Sequence, residues 1–405
     1  MGIHLTIDMQ EYFLKFRQLL YRFLAILTFV ILGMMRHSDT LLAEEPPIEP
    51  LRIGTFLSTT GQAAFIGAPA LATLKLYVNL LNLRGGLLGR KVELIDYDVG
   101  IDPRTAQIAV RRLIYFDKVD AIIGGSTSGA TMSVLPIISE AKIPFIALAN
   151  SGALLHPIRS WVFKSSQTHR MACKTILNDM QRRGIEFLGM ISGDDGFAST
   201  TRAHCIEIAK ILGISVIADE VYRSQTRKVL EPLKRIKMKR KVQAVLNVDF
   251  GSSPAYVTRD FRKLGFDIPL YQTHGVATLD YLDLSGGAAE GVRLPVPPIV
   301  IADKLDDADP IKSILLSYIK LYERRWEVTP SVYGSYAFDA IRLYASAIRR
   351  ARSFEPRKIR KALEETENYV GANGLVKMSP KNHMGLYFRA FRMVEIRDGD
   401  WTPVN

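Results

Sequence analysis

Two short stretches of this 405-residue chain carry side chains whose types and order suit the binding of an anion. Each is an apolar run that ends in small polar residues. IIGGSTSGAT places Ser126, Thr127, Ser128 and Thr131 after the run, and IALANSGALL places Ser151 after its run. The apolar runs read as strands, and the helix entered next leaves its first N–H groups without partners of their own. Free N–H groups flanked by hydroxyls at the carboxyl end of a strand suit a carboxylate. Taken singly, each Ser or Thr also reads as a helix N-cap; two such turns in succession favour a site. Equipment for covalent chemistry is missing. No GxSxG, HExxH, Walker loop or strand-linked GxGxxG occurs. Among His156, His169, His204, His274 and His383 no pair has the spacing of metal ligands, so neither a metal nor a cofactor is expected and the chain does not read as an enzyme. Cys173 and Cys205 lack any CxxC context and leave two readings open, one isolated disulfide or two buried thiols.

Those turns need elements to position them, and the composition supplies enough apolar residues to build them. With 48% hydrophobic and 23% charged residues the chain is neither disordered nor low-complexity, and its length favours two or three domains. From Leu51 onward, short continuous apolar runs (LRIGTFL, KVELIDYD, DAIIGG, IPFIAL, EFLGMIS, SVIADEVY, QAVLNVDF, IPLYQTH) read as strands. They alternate with helices expected at 68–83, 104–116, 128–140, 170–183, 198–212, 226–239, 254–264 and 276–284, followed by two long ones at 308–326 and 335–352. Asp102 and Pro103 mark the N-cap and first position of the second of these. RAFRMVEIRDGDW reads as a closing β-hairpin. Continuous apolar strands between amphipathic helices predict an α/β fold whose parallel sheets are covered on both faces.

The net charge of +12 is local. Residues 223–241 hold nine Lys and Arg against Glu231 alone, and residues 342–361 hold eight against Glu355 alone. Both stretches read as outward helix faces, and with no nucleic-acid motif a nucleic-acid partner is not expected. At the N-terminus Lys15, Arg17 and Arg22 precede the apolar run Phe23 to Met35. A bilayer-spanning helix needs roughly 20 apolar residues, so this run suits the core of a signal peptide. Cleavage after Ala43 would remove residues 1–43 and place the mature chain in the periplasm; an uncleaved anchor is the alternative. No Cys follows the run to take a lipid.

The segment LRGGLLGRKVELIDYDVGIDPRTAQIAVRRLI, then VDAIIGGSTSGATMSVLPIISEAKIPFIALANSG, then WVFKSS, resembles the type I periplasmic solute-binding proteins of ABC transporters, in their branched-chain amino-acid (Leu/Ile/Val) branch. The likeness runs over about residues 51–395, and its most specific part is a GGxxG turn followed by a strand ending in Asp and an Asp-Pro helix start. It implies two Rossmann-like lobes joined by a three-stranded hinge, closing over a small solute that is delivered to an ABC permease. Lobe one would be 51–167 plus 296–372, and lobe two 168–295 plus 373–405.

Carried over position by position, the resemblance implies that Ser128 offers a hydroxyl to the ligand carboxylate. Ala149 would offer a backbone carbonyl and Ser151 a second hydroxyl. Phe65, Phe197 and Phe250 match positions where aromatics lie against the ligand. At the position where the amino-acid binders carry an acid for the ligand ammonium, this chain has His274. A neutral His accepts one hydrogen bond there while a protonated one repels the ammonium, so Asp194, Asp195 or Asp249 would have to serve, or the ligand is a non-amino organic or aromatic acid. The same fold also serves ligand sensors that signal to a regulatory partner, and an exported α/β enzyme is the third class weighed.

Overall fold

In a computed structural model of the chain, residues 9–38, 49–224, 226–387 and 390–404 are described. The expected cleavage point after Ala43 lies outside them. The chain divides into two units, 1–49 and 50–405. In the first, helix α1 (Met9–Ser38) contains the whole apolar run Phe23 to Met35.

The second unit is built on two sheets, because its strands are apolar on both sides and need helices above and below. Strands β1 (Leu51–Leu57), β2 (Val92–Asp98), β3 (Ala121–Gly124), β4 (Phe145–Ala147) and β5 (Val162–Lys164) form a five-stranded parallel sheet in the order β2-β1-β3-β4-β5. Helices α2 (Ala64–Leu83), α3 (Pro103–Tyr115) and α4 (Ser128–Ala141) connect its first four strands. The start of α3 is capped as its Asp-Pro opening predicts: the Asp102 carboxylate accepts from Arg104 N and Thr105 N at 3.1 and 3.2 Å.

The chain then passes to a second sheet through α5 (His169–Arg182). Strands β6 (Phe187–Ser192), β7 (Ser215–Val221), β8 (Ala244–Val248), β9 (Leu270–Gln272) and β10 (Arg293–Val296) are parallel. They are linked by α6 (Gly196–Ile211), α7 (Leu230–Lys237), α8 (Ser253–Lys263) and α9 (Leu279–Ser285). The helix expected at 226–239 begins late because Thr226 makes a local turn, its hydroxyl accepting from Lys228 N and donating to Lys228 O.

The chain next returns to the first sheet, where α10 (Lys312–Trp326), α11 (Val332–Ala351) and α12 (Pro356–Glu364) follow, with α11 packed along α2 and against α12. Helix α12 was not expected from the sequence, although Pro356 sits at its first turn, where proline is favoured. A short hairpin of β11 (Tyr369–Val370) and β12 (Leu375–Val376) precedes a third crossing, and β13 (Arg392–Arg397) and β14 (Asp400–Pro403) add antiparallel to β10. The second sheet thus runs β14-β13-β10-β9-β8-β6-β7. Both sheets are covered on both faces. Leu74, Val78 and Tyr344 pack on one side of the first sheet and Val110, Leu113 and Ile138 on the other; Ile176, Leu177 and Met180 face Leu233, Phe261 and Tyr281 across the second.

Two covalent or polar ties stand out. Cys173 on α5 and Cys205 on α6, both fully buried, form a disulfide, which decides between the two readings of that pair. Asp339 on α11 is buried, and its carboxylate accepts from Ala372 N at 2.7 Å, Asn373 N at 2.9 Å and Asn373 Nδ2 at 2.9 Å. Asn373 Oδ1 in turn accepts from Gln167 Nε2 at 3.3 Å, so the first and third crossings are hydrogen-bonded to each other.

Replacing both cysteines by alanine is expected to cost about 3.5 kcal/mol for a closed loop of 32 residues, read as an earlier guanidinium midpoint in the double variant than in the oxidised chain. Asp339→Ala strands three buried donors and is expected to lower stability by about 4 kcal/mol, measured by the same unfolding titration.

Candidate functional site

The carboxyl ends of the strands of the two sheets face one cavity of about 470 Å³. From the first sheet it is lined by Ser126, Thr127, Ser128 and Gly129 after β3, and by Leu148, Asn150 and Ser151 after β4. From the second, Asp195, Gly196 and Phe197 follow β6 and Phe250 follows β8. His169 at the start of α5 and Tyr333 at the start of α11 close the ends.

The wall after β3 is the start of α4. Thr127 caps it with extended backbone, and its hydroxyl makes no cap bond and is buried without a hydrogen-bond partner. Ser126 is already engaged, its hydroxyl accepting from Ser58 N at 3.0 Å. Thr131 donates to Thr127 O at 2.7 Å and so serves the helix rather than the cavity. Ser128 begins α4 with its first-turn N–H groups uncommitted, as at any helix start. Ser151 combines two roles: it lines the cavity, and its hydroxyl accepts from Ala153 N at 3.3 Å as the cap of a short turn.

The opposite wall is aromatic. Phe197 and Phe250 meet edge to face at 5.2 Å, and His169 meets Phe197 at 4.8 Å. This cluster depends on Gly275, where an added Cβ would come within 2.7 Å of Asp249 O and 3.0 Å of Phe197. His274 stands behind the lining, 7% exposed, with its ring 5.5 Å from Phe197 and 5.3 Å from Phe391. Its Nε2 lies 3.4 Å from His169 Nδ1, and its own Nδ1 is buried without a partner. Burial pushes His274 down to about 3 and His169 well below the usual imidazole range, so both rings are neutral at pH 7. The repulsion that a protonated His274 would exert on an ammonium is therefore absent.

Of the seven residues singled out from the sequence, Ser128, Ser151, Phe197 and Phe250 share this cavity. Ala149 is buried, its carbonyl accepting from Ser166 Oγ at 3.0 Å. Phe65 is 42% exposed, meets Tyr333 at 5.7 Å and lines a separate depression with Ile299 and Trp401; Ile66 faces the main cavity in its place. Of the three acids considered beside His274, Asp195 lines the cavity. Asp194 accepts from Ser224 N at 2.8 Å, and Asp249 is buried behind Gly193, taking a hydrogen bond from Tyr222 at 2.8 Å and pushed up to about 7 by that burial. The sequence reading missed His169, Asn150 and Tyr333. Their shared signal was position, since His169 and Tyr333 open helices and Asn150 follows a strand end.

The chain matches the family described as periplasmic binding protein over residues 50–400. Leu/Ile/Val-binding protein homolog 7 of Brucella abortus is 20% identical over 366 residues, covering 82% of this chain and 84% of that protein. Among solved structures, an extracellular ligand-binding receptor from Rhodopseudomonas palustris HaA2 superposes with a TM-score of 0.78 at 26% identity, covering 88% of this chain and all of that one. The branched-chain amino acid transporter substrate-binding protein LivJ from Streptococcus pneumoniae, solved with isoleucine, shares the fold at a TM-score of 0.74 and 18% identity, over 88% of this chain and 99% of that one.

A buried neutral His binds a proton in the unfolded chain before it does so in the folded one. Between pH 6.5 and about 3 the unfolded state therefore holds the extra proton, and stability drains away as pH falls through that window. His274→Gln removes this term. The stability of the variant relative to the parent is expected to improve by about 2 kcal/mol between pH 7 and pH 5, read from urea midpoints at the two values.

Proposed function

The chain belongs to the periplasmic binding protein family, and from that premise we propose that it captures a small carboxylate-bearing solute, an amino acid or a related organic or aromatic acid, in the cavity between its two sheets. The observation that carries this reading is the start of α4 turned to the cavity: uncommitted N–H groups, the Ser128 hydroxyl, and a Thr127 hydroxyl buried with nothing to bond. Among the described residues neither Lys nor Arg lines this cavity, so the carboxylate would be held by neutral donors aligned with the helix start, an arrangement that stabilises an anion without a counter-charge. Phe197, Phe250, Tyr333, Met132 and Leu148 would cover an apolar body, and Asp195, which also accepts from Ala198 N and the Ser224 hydroxyl, would be the acid to meet an ammonium. The names of the similar proteins, two of them branched-chain amino-acid binders, favour an amino acid within that class.

Three crossings between two sheets suit closure by hinge motion, in which the part of the chain built on the first sheet, the β11–β12 hairpin included, would move against the part built on the second. The disulfide between α5 and α6 suits an oxidising compartment, which agrees with residues 1–43 acting as an export signal and with delivery of the captured solute to an inner-membrane permease.

Titrating the purified chain with amino acids and aromatic acids, followed by intrinsic fluorescence, tests the reading. The best ligand should require its carboxylate, and Ser128→Ala should weaken it by roughly 10- to 100-fold, the loss of one charge-assisted hydrogen bond. A methyl ester that binds as tightly as the acid overturns the carboxylate assignment, and an unchanged Kd in Ser128→Ala removes that residue from the site.

A further inference from the structure

Away from the inter-sheet cavity, a larger one of about 580 Å³ opens between α2, α10 and α11. Its walls are apolar where Leu80, Leu81, Ile314 and Ile341 meet, and three guanidinium groups, of Arg84, Arg342 and Arg349, border it. No Asp or Glu is among its lining residues, and among the described residues none of the three arginines has a carboxylate partner. Arg342 is the centre of the arrangement. Its guanidinium lies over the ring of Phe338 at 4.7 Å and of Tyr369 at 5.6 Å, and its Nη1 is buried without a hydrogen-bond partner. The Tyr369 hydroxyl is likewise buried and unpartnered. The nearby carboxylate of Asp339 feels the Arg342 charge without pairing with that guanidinium, and hydrogen-bonds to Ala372 N, Asn373 N and Asn373 Nδ2 instead. Tyr77, pushed up to about 12 by burial, stays a neutral hydroxyl on the same wall.

An unfilled guanidinium in a partly closed, apolar-walled cavity leaves strong donors unpaired, a cost that an oxyanion removes. The volume falls within the range of small-molecule sites. We propose that this cavity is a second ligand site, separate from the cleft, that takes a small organic anion: a carboxylate or phosphate group on an apolar body, the head at Arg342 and Arg349 and the body along Leu80, Ile314 and Ile341. The site does not depend on the reading of the inter-sheet cavity.

The test titrates the full chain with octanoate, phenyl phosphate and inorganic phosphate by calorimetry. At least one organic anion is expected to bind saturably and more tightly than inorganic phosphate, and the preference between octanoate and phenyl phosphate assigns the head group. Arg342→Gln should weaken that binding at least tenfold. Because Arg342 is partly buried, Arg349→Gln at the exposed rim serves as a second variant that leaves the packing intact, and it should weaken the same probe severalfold. Absence of saturable binding, binding that both substitutions leave unchanged, or equal affinity for inorganic phosphate overturns the assignment.

Discussion

The separation of the two sheets rests on a buried carboxylate. Asp339 sits inside α11 at 1% exposure, a position that would be costly for a charge without partners. It is tolerated because the backbone of residues 372–373 folds onto it and supplies three donors. That approach is close enough that a Cβ on Gly371 would meet the Asp339 carboxylate at 2.6 Å, so glycine is required there by space. Asn373 then holds Gln167, whose amide also donates to Ala390 O at 3.0 Å. Where the chain leaves the first sheet after β5 and where it leaves after β12 are therefore set together, and with them the gap that the strand ends face.

A buried amine lies on the first of the crossings. Lys164 is fully buried at the end of β5, and its Nζ donates to Ser166 O at 2.8 Å, to Gln167 O at 2.9 Å and to the Ser166 hydroxyl. Burial drives its pKa well below the usual range. The crossing is thus held by donors and acceptors, and the cavity beside it is lined by hydroxyls, helix N–H groups, aromatic rings and the uncharged imidazole of His169, with Asp195 as its acid. Neutral dipoles held in place suit reversible capture, since they stabilise an anion without the large desolvation cost of a buried salt bridge. The cavity beside α11 works differently, through three arginines without carboxylates. The basic stretch 342–361, which reads in sequence as an outward solvated face, divides between roles in the fold. Arg342 and Arg349 border that cavity, Arg360 lies over Trp161 at 5.4 Å, and Lys358 and Lys361 pair with Glu355 and Glu365 on the surface.

The order of elements could be read from the chain because local pattern suffices for it. Continuous apolar runs mark strands covered on both faces, Asp102 with Pro103 marks a helix start, and Gly-rich turns after strands mark where helices begin; none of these depends on a distant residue. The same locality explains why Ser128, Ser151, Phe197 and Phe250 come to one cavity, for in an open α/β sheet a position just beyond a strand's carboxyl end faces the crevice whatever lies across it.

Which side chain of a turn points inward is a different matter, and only the tertiary structure decided it. Ile66 faces the cavity while its neighbour Phe65 turns to Tyr333, since successive residues of a helix point about 100° apart and the facing of α2 is fixed in the packed fold, where it lies along α11. Ala149 O is taken by Ser166 from the crossing after β5, and His274 is held behind Phe197 by His169. The disulfide likewise required the relative placement of α5 and α6, which no spacing of two cysteines encodes. Hydrophobic period and turn chemistry, sensed over a few residues, determined the elements and their ends; the contacts between separate elements, which hold the buried polar groups in partnership, determined which atoms the cavity presents.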